Sequence, residues 1–136
     1  MLLRKMKSNI YGLNMVQFAM QEIAHLNGIL SIRKLSEKIG VSQKHLIAQF
    51  HKMIGASPKV FSRIVKFNQV LNAIDPSQPL NWAEIAYQCN YYDQAHFNKD
   101  FMAFSGLNPT AYVKLRRENL GQDIKKGEDV NFVPIG

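Results

Sequence analysis

The sequence predicts an all-α fold built around a duplicated helix-turn-helix, and three observations predict it. Apolar residues recur at intervals of three and four along most of the chain, as they do on one face of a helix. Turn-forming residues separate these periodic stretches. One segment is matched in chemical type by a second about 50 residues later, and both end in Gly-x-(Ser or Asn)-Pro. The matched positions are Leu35, Ile39, Gly40, Val41, Leu46, Phe50, Gly55, Ser57, Pro58 and Phe61 in the first copy, and Ile85, Cys89, Asn90, Tyr91, Phe97, Phe101, Gly106, Asn108, Pro109 and Tyr112 in the second.

The first predicted helix runs from Met15 to Asn27, where an Asn-Gly pair ends it. Residues 1–14 are basic and polar without a clear period. We interpret them as an N-terminal extension, either a linker remnant or part of this first helix. The apolar face of the helix consists of Val16, Ala19, Met20, Ile23 and Leu26.

The first helix-turn-helix begins at Ser31, an N-cap residue for a helix over Ile32–Ile39. Gly40 ends that helix, because glycine lacks the Cβ that clashes in a left-handed turn. Ser42 caps the second helix, which we expect to run to about Ile54. The inward residues are Ile32, Leu35 and Ile39 in the first helix and Leu46, Phe50, Met53 and Ile54 in the second.

A long helix is predicted between the two copies. Ser57 caps it, and Pro58 occupies the first helical position, where the missing N–H is no loss. The helix continues to Ile74 and spans about 27 Å at 1.5 Å per residue, until two prolines within residues 75–79 end it. Its predicted buried residues are Phe61, Ile64, Val65, Leu71 and Ile74.

The second copy repeats the pattern with different cap and turn residues. Asn81 and Glu84 have the spacing of a capping box, and Asn90 replaces the turn glycine. Asp93 caps the next helix, which runs to Ser105. Inward residues of the two helices are Trp82, Ile85 and Cys89, then Phe97, Phe101 and Phe104. A last helix starts at Asn108-Pro109 and passes through Ala111, Tyr112 and Leu115.

These elements give a domain over residues 15–120. It comprises a first helix-turn-helix at 15–56, a linker helix at 57–74 and a second helix-turn-helix at 79–120. We interpret residues 121–136 as a C-terminal tail outside the packed core.

Length and composition exclude several classes of protein. The 136 residues suffice for one compact domain or two subdomains that share a core. No apolar run approaches the roughly 18 residues that span a bilayer, and the first residues lack the apolar core of a secretory signal. We therefore expect no membrane partner. The single cysteine, Cys89, excludes an internal disulfide and fits a reducing cytoplasm.

The net charge of +7 is concentrated in the first half. Between Ser31 and Ile74 the one acidic residue is Glu37, whereas between Asn81 and Leu120 acidic and basic residues balance. Such an excess either neutralises phosphates or forms a solvated face that keeps the protein in solution. Together with the repeat, it favours nucleic acid. The basic residues between Ser31 and Ile74 are Arg33, Lys34, Lys38, Lys44, Lys52, Lys59, Arg63 and Lys66.

Residues 15–117 resemble the DNA-binding domain of the AraC/XylS family of bacterial transcription regulators. The resemblance rests on GVSQKHLIAQFHKMIGASPKVF in the first copy and NYYDQAHFNKDFMAFSGLNPTAY in the second. The second stretch is the more specific, because it follows the family signature at Asp93, Gln94, His96, Phe97, Phe101, Gly106 and Pro109. The resemblance implies a homeodomain-like fold of seven helices, with two helix-turn-helix subdomains joined by the long helix that begins at Pro58.

Four residues depart from the family pattern. Asn90 stands where glycine is usual, Tyr91 where phenylalanine is common and Tyr92 where a small serine is expected. These changes concern the fine geometry of the turn. Lys66 takes a place that arginine usually holds, and lysine offers a point charge where arginine offers a bidentate fork.

The resemblance implies a sequence-specific regulator that places two recognition helices in successive major-groove turns, on one face of double-stranded DNA. RNA polymerase is the expected protein partner. No cofactor is expected, and no small-molecule effector is expected within this chain, which is either a stand-alone regulator or the C-terminal part of a longer one. By position, the implied base contacts are Lys44, Ile47 and Ala48 from the first recognition helix and Gln94, Ala95, Asn98 and Lys99 from the second. The implied phosphate contacts are Gln43, His51, Lys52 and Arg63.

The two recognition helices differ in chemistry. Lys44 can donate to guanine O6 and N7, while Ile47 and Ala48 can offer only apolar contact, best matched by a thymine methyl. The amides of Gln94 and Asn98 can pair bidentately with adenine. We hypothesise that the first subdomain supplies most of the salt-dependent affinity and the second more of the direct readout.

Two other classes of function stay open on the sequence. One is a helical interaction module whose basic half binds an acidic protein partner. The other is an enzyme, for instance a thiol-dependent transferase, although the sequence lacks a nucleophile with its base, paired carboxylates or a phosphate loop. The four histidines and Cys89 show no zinc-ligand spacing, and Cys89 is interpreted as a small buried hydrophobic residue.

Overall fold

The structure is a computed structural model that describes the backbone of residues 2–126 and the side chains of residues 2–121. Over this range the chain forms seven α-helices and no strand, which confirms the predicted fold class. The helices are α1 (Leu2–His25), α2 (Ile32–Ile39), α3 (Gln43–Ile54), α4 (Pro58–Ala73), α5 (Trp82–Gln88), α6 (Gln94–Ser105) and α7 (Pro109–Lys126).

The chain divides into two compact units, Met1–Lys66 and Phe67–Gly136. The boundary falls inside α4, so this helix contributes residues to both. The core of the first unit is built from α1, α2 and α3, with buried residues Val16, Ala19, Ile23, Leu35, Leu46 and Phe50. The core of the second is larger and aromatic, with Phe67, Tyr91, Phe97, Phe101 and Tyr112 among its buried residues.

The first helix is longer than the sequence predicted. It begins at Leu2, not Met15, so of the two interpretations of residues 1–14 the second holds for residues 2–14, which are part of α1. Gly12 is tolerated inside the helix because it lies against the Gln49 and Met53 side chains of α3, where a Cβ would be crowded. The prediction that Leu26 is buried is wrong: the helix has ended at His25, and Leu26 is exposed in the following turn.

The caps and turns of both helix-turn-helix motifs are as predicted. The Ser42 hydroxyl accepts the His45 N–H at 3.0 Å, and the Asp93 carboxylate accepts the His96 N–H at 2.8 Å. Gly40 has a φ of 87°. At the matching turn, Asn90 adopts a φ of 66°, so asparagine does supply the left-handed residue there.

The buried face of α4 was only partly predicted. Phe61 and Val65 pack against the first core, but Ile64 is exposed, as is Ile54 at the end of α3. The sequence interpretation missed Phe67 and Val70, which lie in the second core. One amphipathic stripe was assumed for the whole helix, whereas its residues enter a different core on each side of Lys66.

The core of the second unit is organised around Phe101. Its ring lies 5.3 Å from Phe67 and 5.3 Å from Tyr112, both in edge-on geometry, which is the favourable arrangement of aromatic pairs. Phe97 and Trp82 complete the cluster. Large aromatic residues thereby fix α4, α5, α6 and α7 within one core.

Helix α7 continues to Lys126, well beyond the predicted end of the packed domain. The Arg117 guanidinium fastens it to the preceding loop, donating to the Pro76 carbonyl at 2.7 Å and the Gln78 carbonyl at 3.2 Å. Leu115 is exposed on the opposite side. Residues 121–126 of the predicted tail continue α7 as helix, and residues 127–136 lie outside the described part of the chain.

Candidate nucleic-acid interface

Helix α3 presents one buried and one exposed face. Leu46 and Phe50 are fully buried in the core. Turned away from them, Lys44 and Ala48 are exposed, and Ile47 keeps 39% of its surface accessible although it is apolar. The three residues predicted to contact bases from the first copy thus share an accessible face of one capped helix.

Helix α6 has the same arrangement in the second unit. Phe97 and Phe101 enter the core, while the four residues predicted to contact bases are all exposed. The face is more polar than that of α3, since it carries two amides, one ammonium group and one methyl. These residues are Gln94, Ala95, Asn98 and Lys99.

The residues predicted to contact phosphates differ in their surroundings. Gln43, His51 and Lys52 are exposed, and the Lys52 ammonium donates to the Asn9 side chain of α1 at 3.4 Å. Arg63 is half-buried on α4 and already has an interaction partner within the chain.

A cleft of about 530 Å³ lies beside the exposed face of α3. Leu30, Ile32 and Ile47 provide an apolar wall, and the other wall is formed by the first turns of α4. Three cationic side chains line it: Lys59, Arg63 and Lys66. Lys59 and Lys66 were not among the residues predicted to contact phosphates. Their spacing from Arg63, four residues before and three after, places all three on one helix face and is the signal that could have found them.

The second unit has a matching cleft of about 540 Å³ beside α6. Its lining includes Trp82, Gln94, Asn98 and Lys114. By the 50- and 51-residue offsets of the repeat, Trp82, Asn98 and Lys114 correspond to Ile32, Ile47 and Arg63 of the first cleft. The two units therefore form equivalent clefts, but the second carries one cation, while the first carries three.

The cap of α6 is also electrostatic. The backbone N–H of His96, and then its ring 2.8 Å away, hold the pKa of the Asp93 carboxyl below its ordinary value of 3.8. An ionised Asp93 suits the N-terminus of a helix, where the dipole is positive. The charge of Asp93 thus adds to the hydrogen bond by which its side chain caps α6.

The structure also bears on thiol reactivity and on metal binding. Cys89 is buried in the aromatic core, and burial raises the pKa of its thiol, as expected of a hydrophobic residue and not of an activated nucleophile. Among the side chains that the structure describes, those of residues 2–121, no group of His, Cys, Asp and Glu has the arrangement of a metal site. None of the helices in this range has the length and apolarity needed to cross a membrane.

Comparison with known proteins points to one family. A family model described as a helix-turn-helix domain matches residues 35–115. No curated protein matches the sequence. Among solved structures, the C-terminal domain of AraT, a response regulator from Geobacillus stearothermophilus, is 23% identical with a TM-score of 0.65 over 74% of this chain and 84% of that one.

Two further structures share the architecture. A probable AraC family transcriptional regulator from Rhodopseudomonas palustris is 23% identical with a TM-score of 0.67, covering 74% of this chain and 95% of its own. The DNA-binding domain of AdpA, a global transcriptional factor solved in complex with a target DNA, is 18% identical with a TM-score of 0.64 and covers 82% and 96%. At these identities the likeness shows a common fold.

Proposed function

We propose that this chain, which belongs to the AraC/XylS family of helix-turn-helix DNA-binding proteins, reads its operator with two unlike recognition helices. The chain is a sequence-specific DNA-binding transcription regulator. The observation that carries the proposal is the pair of capped helices, α3 and α6, each of which buries apolar residues on one side and exposes a compact set of predicted base contacts on the other.

The geometry of binding is proposed as one recognition helix in each of two successive major-groove turns, on one face of the duplex. The duplicated motif supports it, because both copies form the same capped helix beside an equivalent cleft. The DNA-binding domain of AdpA, which shares the fold, was solved with a target DNA.

The two units are proposed to contribute differently to DNA binding, one to affinity and the other to sequence preference. The first cleft, with its three cations, favours contacts to phosphates, which depend on salt and not on sequence. Gln94 and Asn98 on the second helix can each make two hydrogen bonds to one adenine, which discriminates by about 1–3 kcal/mol per good pair. Affinity then comes mainly from the first unit and sequence preference mainly from the second.

Binding-site selection from random duplexes tests the bipartite geometry. We expect two half-sites with centres about ten base pairs apart, one for each recognition helix. Selection of a single half-site would contradict the geometry. A mobility-shift titration with salt tests the choice of partner, since phosphate contacts make log K fall linearly with log salt. Equal affinity for duplex DNA and for a polyanion such as heparin at every salt concentration would instead favour a basic module for acidic partners.

Paired alanine variants test the division of work. Lys52→Ala should weaken binding to all sequences and reduce the salt slope by about one, whereas Asn98→Ala should relax preference at one base position. Lys38→Ala is the matched control for the charge, because Lys38 pairs with Glu22 at 2.9 Å on the α1–α2 side of the first unit. Gln88→Ala, an exposed amide on α5, is the control for Asn98. Uniform weakening of all sequences by Asn98→Ala would contradict the division.

We also propose RNA polymerase as the protein partner, the cytoplasm as the site of action and the absence of catalytic activity. The family supports all three, because its members regulate transcription. Retention of the polymerase by promoter DNA only when this chain is bound, measured by co-sedimentation, would support the first. Reaction of the native Cys89 thiol at the rate of a free thiol would argue against the last, since burial raises its pKa.

A further inference from the structure

The two recognition helices carry the same histidine in different surroundings. His45 and His96 are each the third residue of their helix, and each donates its backbone N–H to the capping side chain. The cap is the neutral Ser42 in the first copy and the carboxylate of Asp93 in the second. The offset between the copies grows from 50 to 51 within the turn, because Tyr92 is an additional residue just before the second cap.

Both residues that distinguish the second copy contact the imidazole ring of His96. The Nδ1 atom lies 2.8 Å from Asp93 Oδ1, and the Tyr92 ring packs edge-on against the imidazole at 5.9 Å between centroids. The cluster is open to solvent, since the His96 side chain is 65% exposed and Tyr92 is 91% exposed. The hydrophobic core of the second unit therefore does not account for the tyrosine or the histidine.

Asp93 determines which ring nitrogen of His96 carries a proton. Hydrogen bonds from His96 hold the pKa of the Asp93 carboxyl below its ordinary value, so the carboxylate is ionised near neutral pH and can only accept. The Nδ1 atom must then be the donor. On a neutral ring this leaves Nε2 without a hydrogen, and Nε2 becomes a donor only when the ring is protonated. Ser42 imposes no such choice on His45, whose neutral ring can carry its proton on Nε2.

His96 lies on one flank of the exposed face of α6. At 100° per residue, the centre of this face falls between Ala95 and Lys99, and His96 and Asn98 lie about 80° to either side of it. The Asn98 flank lines the cleft of the second unit. A helix about 10–12 Å across fills a major groove about 12 Å wide, so its flanks approach the phosphate backbones. The proposed binding mode therefore brings the His96 flank beside a phosphate.

We propose, on the basis of the proposed DNA binding, that His96 donates through Nε2 to a DNA phosphate only when its ring is protonated, so that binding by the second unit is coupled to proton uptake. A neutral ring would turn an acceptor toward the phosphate oxygens, and the ionised Asp93 beside it would add repulsion. Protonation supplies the donor and balances that charge. Affinity for DNA then falls as the pH rises through the usual titration range of histidine, around pH 6.5.

The other charged groups of the packed helices do not replace Asp93 in this role. They are Glu84 and Tyr87 on α5, Lys99 and Asp100 on α6, and Lys114 and Arg116 on α7. Glu84 accepts from the Gln88 amide at 3.2 Å, and Asp100 is buried. Lys114 lines the cleft on the Asn98 flank. Carboxyl, phenol, ammonium and guanidinium groups ordinarily titrate outside pH 5.5–8, so a charge change in that range points to histidine.

Fluorescence anisotropy with the duplex recovered by binding-site selection tests the proposal at pH 5.5 and pH 8. For the native chain we expect affinity about three- to tenfold higher at pH 5.5, and a slope of log K against log salt that is steeper there by about one, for one additional phosphate contact. His96→Gln keeps a side-chain donor but does not titrate, so it should lose the difference in slope. His45→Gln is the matched control in the first copy and should keep it.

Asp93→Ser tests the part played by the carboxylate. It gives the second copy the cap of the first, so α6 should be retained, which far-UV circular dichroism checks. We expect it to raise affinity more at pH 8 than at pH 5.5, because the neutral ring is then able to donate through Nε2. Equal pH dependence for the native chain and either His96→Gln or Asp93→Ser overturns the inference alone. Absence of duplex binding by the native chain at both pH values refutes the proposed function, and the inference with it.

Discussion

Replacement of Gly28 by alanine is expected to destabilise the first unit more than any other glycine replacement in its turns. Gly28 has a φ of 79°, in the left-handed region that side chains avoid. A Cβ there would also lie 2.5 Å from the Ser62 carbonyl oxygen and 3.1 Å from the Lys66 backbone nitrogen, both on α4. The loop between α1 and α2 thus approaches the backbone of α4 as closely as a glycine allows.

The magnitude follows from two separable costs. A left-handed conformation costs an alanine about 1–2 kcal/mol. The contact with Ser62 involves backbone, which cannot rotate aside as a side chain does, and forced overpacking of this kind costs about 1–3 kcal/mol. The free energy of unfolding should therefore fall by about 2–5 kcal/mol for Gly28→Ala.

Two other glycines separate these costs experimentally. Gly40 has a φ of 87° but open space around its Cα, so Gly40→Ala should cost only the conformational part, about 1–2 kcal/mol. Gly12 has no left-handed φ and meets the flexible Gln49 side chain, so Gly12→Ala isolates a contact that can relax. Urea unfolding followed by circular dichroism measures all three. If Gly28→Ala lost no more stability than Gly40→Ala, the close approach to α4 would contribute nothing and the reasoning would be refuted.

Two further predictions concern the second unit. Phe67→Ala removes a ring packed edge-on against Phe101 and should lower the free energy of unfolding, measured with urea, by about 3–5 kcal/mol. Ile64 is exposed on the same helix, so Ile64→Ala should change it by no more than about 0.5 kcal/mol. Similar losses for the two variants would contradict the assignment of Phe67 to this core. Because the folded-state pKa of Asp93 is lowered, its contribution to stability is present above the ordinary value of 3.8 and is lost as the pH falls through the folded pKa. Urea midpoints at pH 7 and pH 3 should therefore differ more for the native chain than for Asp93→Asn, which keeps the cap but does not titrate; equal differences would count against a charged cap.

The sequence was informative where local chemistry decides structure. Caps such as Ser42 and Asp93, and the left-handed residues Gly40 and Asn90, act through their immediate neighbours, and their roles followed from residue type. The extension of α1 to Leu2 and of α7 to Lys126 could not be predicted in this way. Polar segments without a clear period give no local signal that a helix continues.

Burial along α4 and the site itself depended on tertiary arrangement. Phe67 and Val70 belong to a different core from Phe61 and Val65, and no property of the α4 sequence marks where the change occurs. The face of α3 could be predicted from helical period, but its cleft could not, because Leu30 and Ile32 reach it from another helix and loop. The predicted base and phosphate contacts stay predictions: Lys44, Lys52 and the others are exposed, except Arg63, which is half-buried.

The two cores share no residue among those described, and this separation has a consequence for how such a protein can change. A substitution that disturbs the packing of Phe50 removes no atom from the aromatic cluster around Phe101. The loss of stability caused by an altered α3 is therefore confined to the first unit. Each recognition helix therefore packs on its own hydrophobic core. Substitutions that change the base preference of one copy can then be selected while the other copy keeps its affinity for DNA. The specificity of a duplicated DNA-binding domain can therefore change at one half-site at a time.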